Sequence, residues 1–384
     1  ISGFQKRALH FVTDQKTKLT IEIDTKGNGK WEGFEEVEIN GYAWYKFDPD
    51  LNATWVRLRS ANSLGKATAW FHLGNDEEKY EPKSSKFFGL AESSSEVVVG
   101  GLLQAKDHNQ RTLDFGAVNK DGKIGRYVLD KSMELKLIPN EKAWHSLHKG
   151  TAIPSRKGIL EVDHASVIYL DDKGRRFRLP MNPGYLNPGS LGFGRLCREV
   201  ATERDLFNCH GTFFELPAEN AGGFSMIRPV STHNLKIKDY CSYRGLFVLS
   251  GIDMTRIGTN RNIIVSDDGK AALWVGAIDD LWSLGKPVGV GAVWKEDKVM
   301  TGKYSDPYLM TGYDKKSLLL ASSNNTKISA EVDISGMGDW HVFKEFQLKS
   351  GEEIKYKFPS SFQAYWIRFI TDTETNATVM LTYE

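Results

Sequence analysis

Between residues 195 and 244 the chain gathers side chains that can move protons or hold anions: Arg195, His210, Glu215, Arg228, His233, Asp239, Tyr240, Tyr243 and Arg244. The strings that carry them are "FNCHGTFFELP" (207–217), "IRPVSTHN" (227–234) and "KIKDYCSYRG" (236–245). Elsewhere the polar residues are mostly Lys, Glu, Asp and Ser, which suit solvated strand faces; here Arg, His and Tyr concentrate beside glycine. His210 and His233 titrate near neutrality and suit general acid or base work. Arg228 and Arg244, with Arg195, suit bidentate binding of a carboxylate or sulfate. Tyr243 can protonate a leaving oxygen. Glu215 and Asp239 supply the two carboxyl groups that glycoside hydrolysis uses, their separation deciding the stereochemistry. Each residue also has a purely structural reading. His210 fits a strand edge and His233 a turn, Asp239 can serve only to orient Arg244, and Glu215 can be an exposed strand end.

Further candidates lie elsewhere. Arg111 and His108 occupy a polar turn, and Asp306 and Tyr308 precede the Tyr313-Asp314 pair in "GKYSDPYLMTGYD". His145 and His148 stand three apart without a carboxylate at useful spacing, so no metal site is expected. Glu161, Asp163 and His164 read as a strand surface. His72 closes an apolar run and is a candidate for recruitment to a pocket. No nucleophile elbow, Walker loop, dinucleotide fingerprint or HExxH is present. The chemistry so described requires no cofactor, and a structural divalent cation is left open.

Bulk properties narrow the classes. With 50 basic and 49 acidic residues the formal charge is +1, which gives no electrostatic footprint for nucleic acid. No apolar run is long enough to span a bilayer. Ten Trp and fourteen Tyr among 36 Gly suit twisted sheets and also the stacking of rings on sugars. Cys197, Cys209 and Cys241 are odd in number and lack CxxC spacing, so at most one disulfide is expected. Asn52, Asn324 and Asn376 begin Asn-x-Ser/Thr triplets that chance also supplies. The opening "ISGFQKRALHF" has neither Met nor a signal-like apolar core. A removed leader and a secreted or periplasmic bacterial location are expected.

The elements that must position the cluster are strands. Residues 3–73 and 312–383 form an internal repeat. Gly27, Gly29 and Trp31 match Gly336, Gly338 and Trp340; Tyr45-Lys46-Phe47 matches Tyr356-Lys357-Phe358; Ala53, Trp55 and Arg57 match Ala364, Trp366 and Arg368. Within and between the repeats, short alternating runs recur at meander spacing with almost no helical periodicity. "DTKGNGKW" superficially resembles a calcium loop but lacks its closing glutamate, and reads as a plain turn. Related all-β units at both ends predict one β-propeller domain over 1–384, of seven blades, with six as the alternative. A long β-sandwich or two β domains is the rival. Residues 178–205, rich in Gly, Pro and Asn, predict a long functional loop leading into the cluster.

In its repeat units and its His/Arg/Tyr region the chain resembles the β-propeller carbohydrate-active enzymes of polysaccharide-degrading bacteria, among them propeller glycoside hydrolases and ulvan-lyase-like propellers. That resemblance implies cleavage of a glycosidic bond in a uronate- or sulfate-bearing poly- or oligosaccharide. His210, His233, Asp239, Tyr243 and Glu215 would be catalytic, and Arg195, Arg228, Arg244, Arg111, His72, Asp306 and Tyr308 would bind substrate. Hydrolysis comes first because propeller hydrolases are more numerous, with β-elimination through His, Tyr and Arg as the alternative. A non-catalytic propeller that binds glycan or protein is the third reading. Oligomeric state is left open.

Overall fold

The computed structural model describes residues 1–75, 85–106, 111–151, 157–201 and 204–384; His108 lies outside them. Its contacts divide the chain into two compact units, Ile1–Lys79 with Ala292–Glu384, and Tyr80–Gly291.

The first repeat contributes β1 (Lys6–Thr13), β2 (Thr17–Asp24), β3 (Glu32–Ile39), β4 (Tyr42–Lys46), β5 (Trp55–Ser60) and β6 (Ala67–Gly74). Sheet orders are β4-β1-β6 and β3-β2-β5. The inward residues of both sheets meet in one core of Leu9, Phe11, Leu19, Ile21, Ile39 and Phe47. This is a two-layer sandwich, because alternation gives each strand a single apolar face and two such faces must cover each other. The expected all-β class holds; the terminal repeat itself splits its six strands between two facing sheets instead of forming a single meander.

Among its described residues the central unit contains four antiparallel sheets, three of them meanders. The first runs β7 (Val98–Lys106), β8 (Thr112–Asn119), β9 (Gly122–Leu129) and β10 (Leu135–Leu137). Helix α1 (Glu141–Thr151), which periodicity alone did not predict, starts at Asn140, whose side chain accepts the Ala143 N–H at 2.9 Å. The second sheet is β11 (Leu160–Val162), β12 (Val167–Leu170) and β13 (Arg176–Leu179). The third is β14 (Cys197–Ala201), β15 (Arg204–Cys209), β16 (Thr212–Pro217) and β17 (Arg228–Thr232). The fourth comprises β18 (Asp239–Tyr243), β19 (Leu246–Ser250), β21 (Ile263–Val265) and β22 (Ala272–Gly276), while β20 (Ile252–Asp253) pairs back onto β7. The predicted loop 178–205 is thus shorter at both ends: the irregular stretch is 180–196, between β13 and β14.

Strands β23 (Gly289–Val299) and β24 (Tyr308–Leu309) precede the second repeat, which contains β25 (Lys316–Ser322), β26 (Thr326–Asp333), β27 (Trp340–Leu348), β28 (Glu353–Lys357), β29 (Trp366–Thr371) and β30 (Thr375–Tyr383). Strands β25 to β30 repeat the arrangement of β1 to β6, and β23 flanks β30 while β24 flanks β29. The matched residues explain why the repeat is readable. Arg57 lies over the Trp31 ring at 4.4 Å and pairs with buried Glu22 at 2.5 Å; Arg368 lies over Trp340 at 4.3 Å and pairs with Glu331 at 2.7 Å. A cation between a carboxylate and an aromatic face satisfies both its charge and its flat surface. Asp24 accepts the N–H groups of Lys26, Gly27, Asn28 and Gly29, and Asp333 those of Ser335, Gly336 and Gly338. The "DTKGNG" carboxylate is committed to its own turn. Finally, buried Arg7 donates to the Phe4 and Leu51 carbonyls, and buried Lys316 donates to the equivalent Tyr313 and Phe362 carbonyls.

Candidate functional site

The turn at the centre of "CHGT" is a two-residue hairpin. His210 (φ 49°) and Gly211 (φ 72°) join β15 to β16, with Cys209 paired to Thr212. Arg244 (φ 53°) and Gly245 (φ 78°) join β18 to β19 in the same way, with Tyr243 paired to Leu246. Positive φ at both central positions is what a tight antiparallel hairpin needs. Glycine at the second is required most at Gly211, where a Cβ would sit 2.6 Å from the His233 carbonyl oxygen.

The hairpin places His210 in the protein interior. Its Nδ1 accepts the Asn182 N–H at 3.2 Å and its Nε2 donates to the Pro188 carbonyl at 3.0 Å, while its ring lies 4.6 Å from that of Tyr185. His210 thereby pins the 180–196 loop. His233 is equally engaged: Nε2 faces Asn208 Oδ1 at 3.1 Å and Nδ1 accepts the Leu235 N–H at 3.2 Å. Burial lowers the His210 pKa and lowers that of His233 to about 3, so both rings are neutral at pH 7 with no nitrogen to spare.

The remaining candidates are spread over several places. Asp239 is fully buried, receives Arg195 at 2.5 Å and Arg198 at 3.3 Å, and accepts the Leu103 N–H at 2.8 Å. Arg198 also donates to the Tyr240 and Leu103 carbonyls, so this cluster ties β7, β14 and β18 together. Tyr243 is buried and donates to the Arg111 carbonyl at 2.7 Å. Glu215 lies between Arg204 (2.8 Å) and Arg228 on the third sheet, and Arg244 is exposed at its hairpin tip. His72, Asp306 and Tyr308 belong to the other unit. There His72 meets His10 edge-on at 5.2 Å, and Tyr308 pairs with Ile367 across β24 and β29. Within the central unit the predicted residues thus fall into separate hydrogen-bonded groups.

A cavity of about 560 Å³ in the central unit has His233 in its wall. The segment 85–95 forms one side, held to the 233–236 segment by Ser93 N–H to Asn234 O (2.7 Å) and Lys236 N–H to Ala91 O (2.7 Å). The chain at 284–288 forms the other, with Val288 N–H donating to Thr232 Oγ1 at 3.1 Å. Gly285 packs so closely on Thr232 that a Cβ would lie 1.9 Å from its carbonyl oxygen. Phe87, Leu90, Leu235 and Leu284 supply apolar lining; Glu92, Asn234, Arg256 and Lys286 supply the polar groups. Arg256 pairs with Glu92 at 3.1 Å and lies over Phe88, which is 46% exposed, at 5.3 Å. None of Phe88, Glu92, Arg256 and Lys286 stands out in sequence: they come from three separate connecting stretches, 88–92, 256 and 286, and the one signal is glycine beside the paired phenylalanines of "FFGL".

Among the described residues, no three His, Cys, Asp or Glu side chains are grouped to hold a metal ion, and no helix is long and apolar enough to cross a membrane. All three cysteines are free thiols, Cys197 exposed, Cys209 and Cys241 buried.

No family model matches the chain, and no curated protein matches its sequence. Structural similarity extends to a glycoside hydrolase family 43 arabinoxylan arabinofuranohydrolase from Bacillus subtilis in complex with cellotetraose, at 10% identity over 73% of this chain and 78% of that one, with a TM-score of 0.18. A second structure, described as a glycoside hydrolase, aligns at 10% identity over 73% and 83%, TM-score 0.16. The Bacillus thuringiensis insecticidal crystal protein Cry7Ca1 aligns at 9% identity over 96% and 51%, TM-score 0.13. At these scores the alignments carry no argument about fold or activity.

Proposed function

We propose that the central unit binds an acidic sugar in the cavity between the 85–95 segment and residues 232–235 and 284–288. The observation that supports this reading is the lining itself: two cations, Arg256 and Lys286, stand with the amide of Asn234 and the partly exposed ring of Phe88 around a space of about 560 Å³. That volume is within the range of small-molecule sites. A uronate or sulfate would take the cations, the sugar's C–H face would take Phe88, and its hydroxyls would take Glu92 and Asn234. Binding is the reading put first because, among the described residues, Glu92 is the one carboxylate of the cavity lining, whereas hydrolysis uses two. Elimination needs a base, and His233 has both nitrogens engaged. The test is calorimetric titration with oligogalacturonates, oligoglucuronates and their neutral counterparts, with reducing ends and unsaturated products followed in parallel. Acidic oligosaccharides should bind and neutral ones should not, with Arg256→Ala and Lys286→Ala each weakening binding about tenfold. Equal binding of neutral and acidic sugars, or no effect of either variant, would overturn the reading, and turnover abolished by Glu92→Gln would replace binding with catalysis.

A further inference from the structure

The unit that holds both repeats has a cavity of its own, about 210 Å³, where the β4-β1-β6 sheet meets the 334–341 stretch at the start of β27. The first repeat contributes His10, Asp14, Lys66 and Trp70 to its wall, and the second contributes Asp339 and His341. His10 lies on the outer face of β1, because its neighbours Leu9 and Phe11 belong to the core between the sheets. It is the register partner of Trp70, as Leu319 is of Met380 in the second repeat. An imidazole and an indole thus stand where the other copy has a leucine and a methionine. The register is kept, so the difference changes what this face can bind without changing how the sheet is built.

The wall is fixed by contacts from both repeats. His10 Nδ1 and the Tyr42 hydroxyl hydrogen-bond at 2.9 Å, and the Tyr42 ring stacks on that of His341 at 5.4 Å with the planes 10° apart. Asp14 accepts the Lys66 N–H at 2.9 Å, which orients its carboxylate. Burial lowers the His10 pKa to about 3 and lowers that of His341, so both rings are neutral at pH 7. The charges of the wall are then one ammonium, Lys66, against the carboxylates of Asp14 and Asp339. An anion would meet two like charges, and among the described residues no three side chains are grouped to hold a metal ion. A neutral polyol suits such a wall better. Each hydroxyl can donate to a carboxylate and accept from the ammonium, and a C–H face suits the indole.

We propose that this cavity binds one neutral pyranose residue, with hydroxyls on Asp14, Lys66 and Asp339 and a C–H face on Trp70. Its volume is below the roughly 300 Å³ at which drug-sized sites begin, so the ligand is a monosaccharide or the end of a chain. The proposal stands apart from the acidic-sugar reading of the central unit, whose cavity sets two cations against one carboxylate.

The probes are the methyl glycosides of glucose, galactose, mannose and xylose, titrated into the intact protein. The Trp70 indole N–H and the His341 ring are followed by NMR, with Trp70→Phe assigning the indole signal. At least one glycoside should shift both signals together with a dissociation constant of about 1 mM, the range that ligand efficiency allows about a dozen non-hydrogen atoms. Asp339→Asn, at an exposed turn position, should weaken binding about tenfold and leave the unfolding midpoint unchanged, and Trp70→Ala should weaken it at least as much. Arg256→Ala should have no effect on these signals, which separates this site from the central cavity. The proposal is overturned if about 100 mM of every neutral glycoside leaves both signals in place, or if Asp339→Asn binds like the parent. It is overturned equally if sulfate, glucuronate or calcium shifts the signals at lower concentration than any neutral glycoside does.

Discussion

Lowering the pH from 7 to 5 should destabilise the central unit through His233. The ring is buried, and its pKa is lowered from 6.5 to about 3 by that burial. The folded state therefore holds fewer protons than the unfolded chain between those two values. The stability this represents is fully present above pH 6.5 and is lost progressively as pH falls toward 3. At 1.36 kcal/mol per pKa unit, the loss from this one group is about 2 kcal/mol at pH 5 and about 3 kcal/mol at pH 4. That is a large share of the stability of an ordinary domain. The assay is urea unfolding at pH 7, 6 and 5 for the parent and for His233→Gln, with the ring titration of His233 followed by NMR. The variant loses the Asn208 and Leu235 hydrogen bonds and should be less stable at pH 7, yet it takes up no proton, so its stability should fall less with acid. The parent should lose about 2 kcal/mol more than the variant between pH 7 and 5. Equal pH slopes, or a His233 ring titrating near 6.5, would refute the argument that its two hydrogen bonds and burial keep it neutral.

Two further outcomes follow from the same unit. Asp239→Asn leaves Arg195 and Arg198 without their shared carboxylate in a fully buried setting and should cost about 3 kcal/mol in urea unfolding; a loss below about 1 kcal/mol would mean the cluster does not tie the sheets together. In the native protein Cys197, the exposed thiol, should be the one a maleimide modifies, and slowly, because desolvation and Asp205 push its pKa up to about 12, with Cys209 and Cys241 reacting only on unfolding; mass spectrometry counts the adducts, and two or three rapid additions would contradict the burial of the other thiols.

How far the sequence could be read depended on what each signal encodes. The repeat was legible because its matched residues perform the same local tasks twice: Asp24 and Asp333 closing a turn, Arg57 and Arg368 held between a tryptophan and a glutamate. The pairing of strands into sheets was not legible, since alternation says which side of a strand is apolar but not which strand lies beside it. That is why two facing sheets within one repeat read as a single meander. The His/Arg/Tyr region drew attention through residue type, but type does not show whether a hydrogen-bonding group is already committed. His210 is bound at both nitrogens because a left-handed hairpin turns it inward onto a loop nearly thirty residues upstream in the chain, to Asn182. Helix α1 was missed because it is short and its start rests on one asparagine. The cavity's Glu92 and Arg256 come from connecting stretches that nothing in the sequence links.

The buried basic residues of the two repeats, Arg7 and Lys316, hold equivalent carbonyls but are not chemically equivalent. A guanidinium stays charged at every pH a protein survives. The Lys316 amine, whose pKa burial lowers to about 7, exchanges its charge for a lone pair across neutrality. Duplication has thus left two copies of one architecture that differ at their centres in proton memory: one keeps a permanent cation, and the other holds a group whose charge is set by the solution outside.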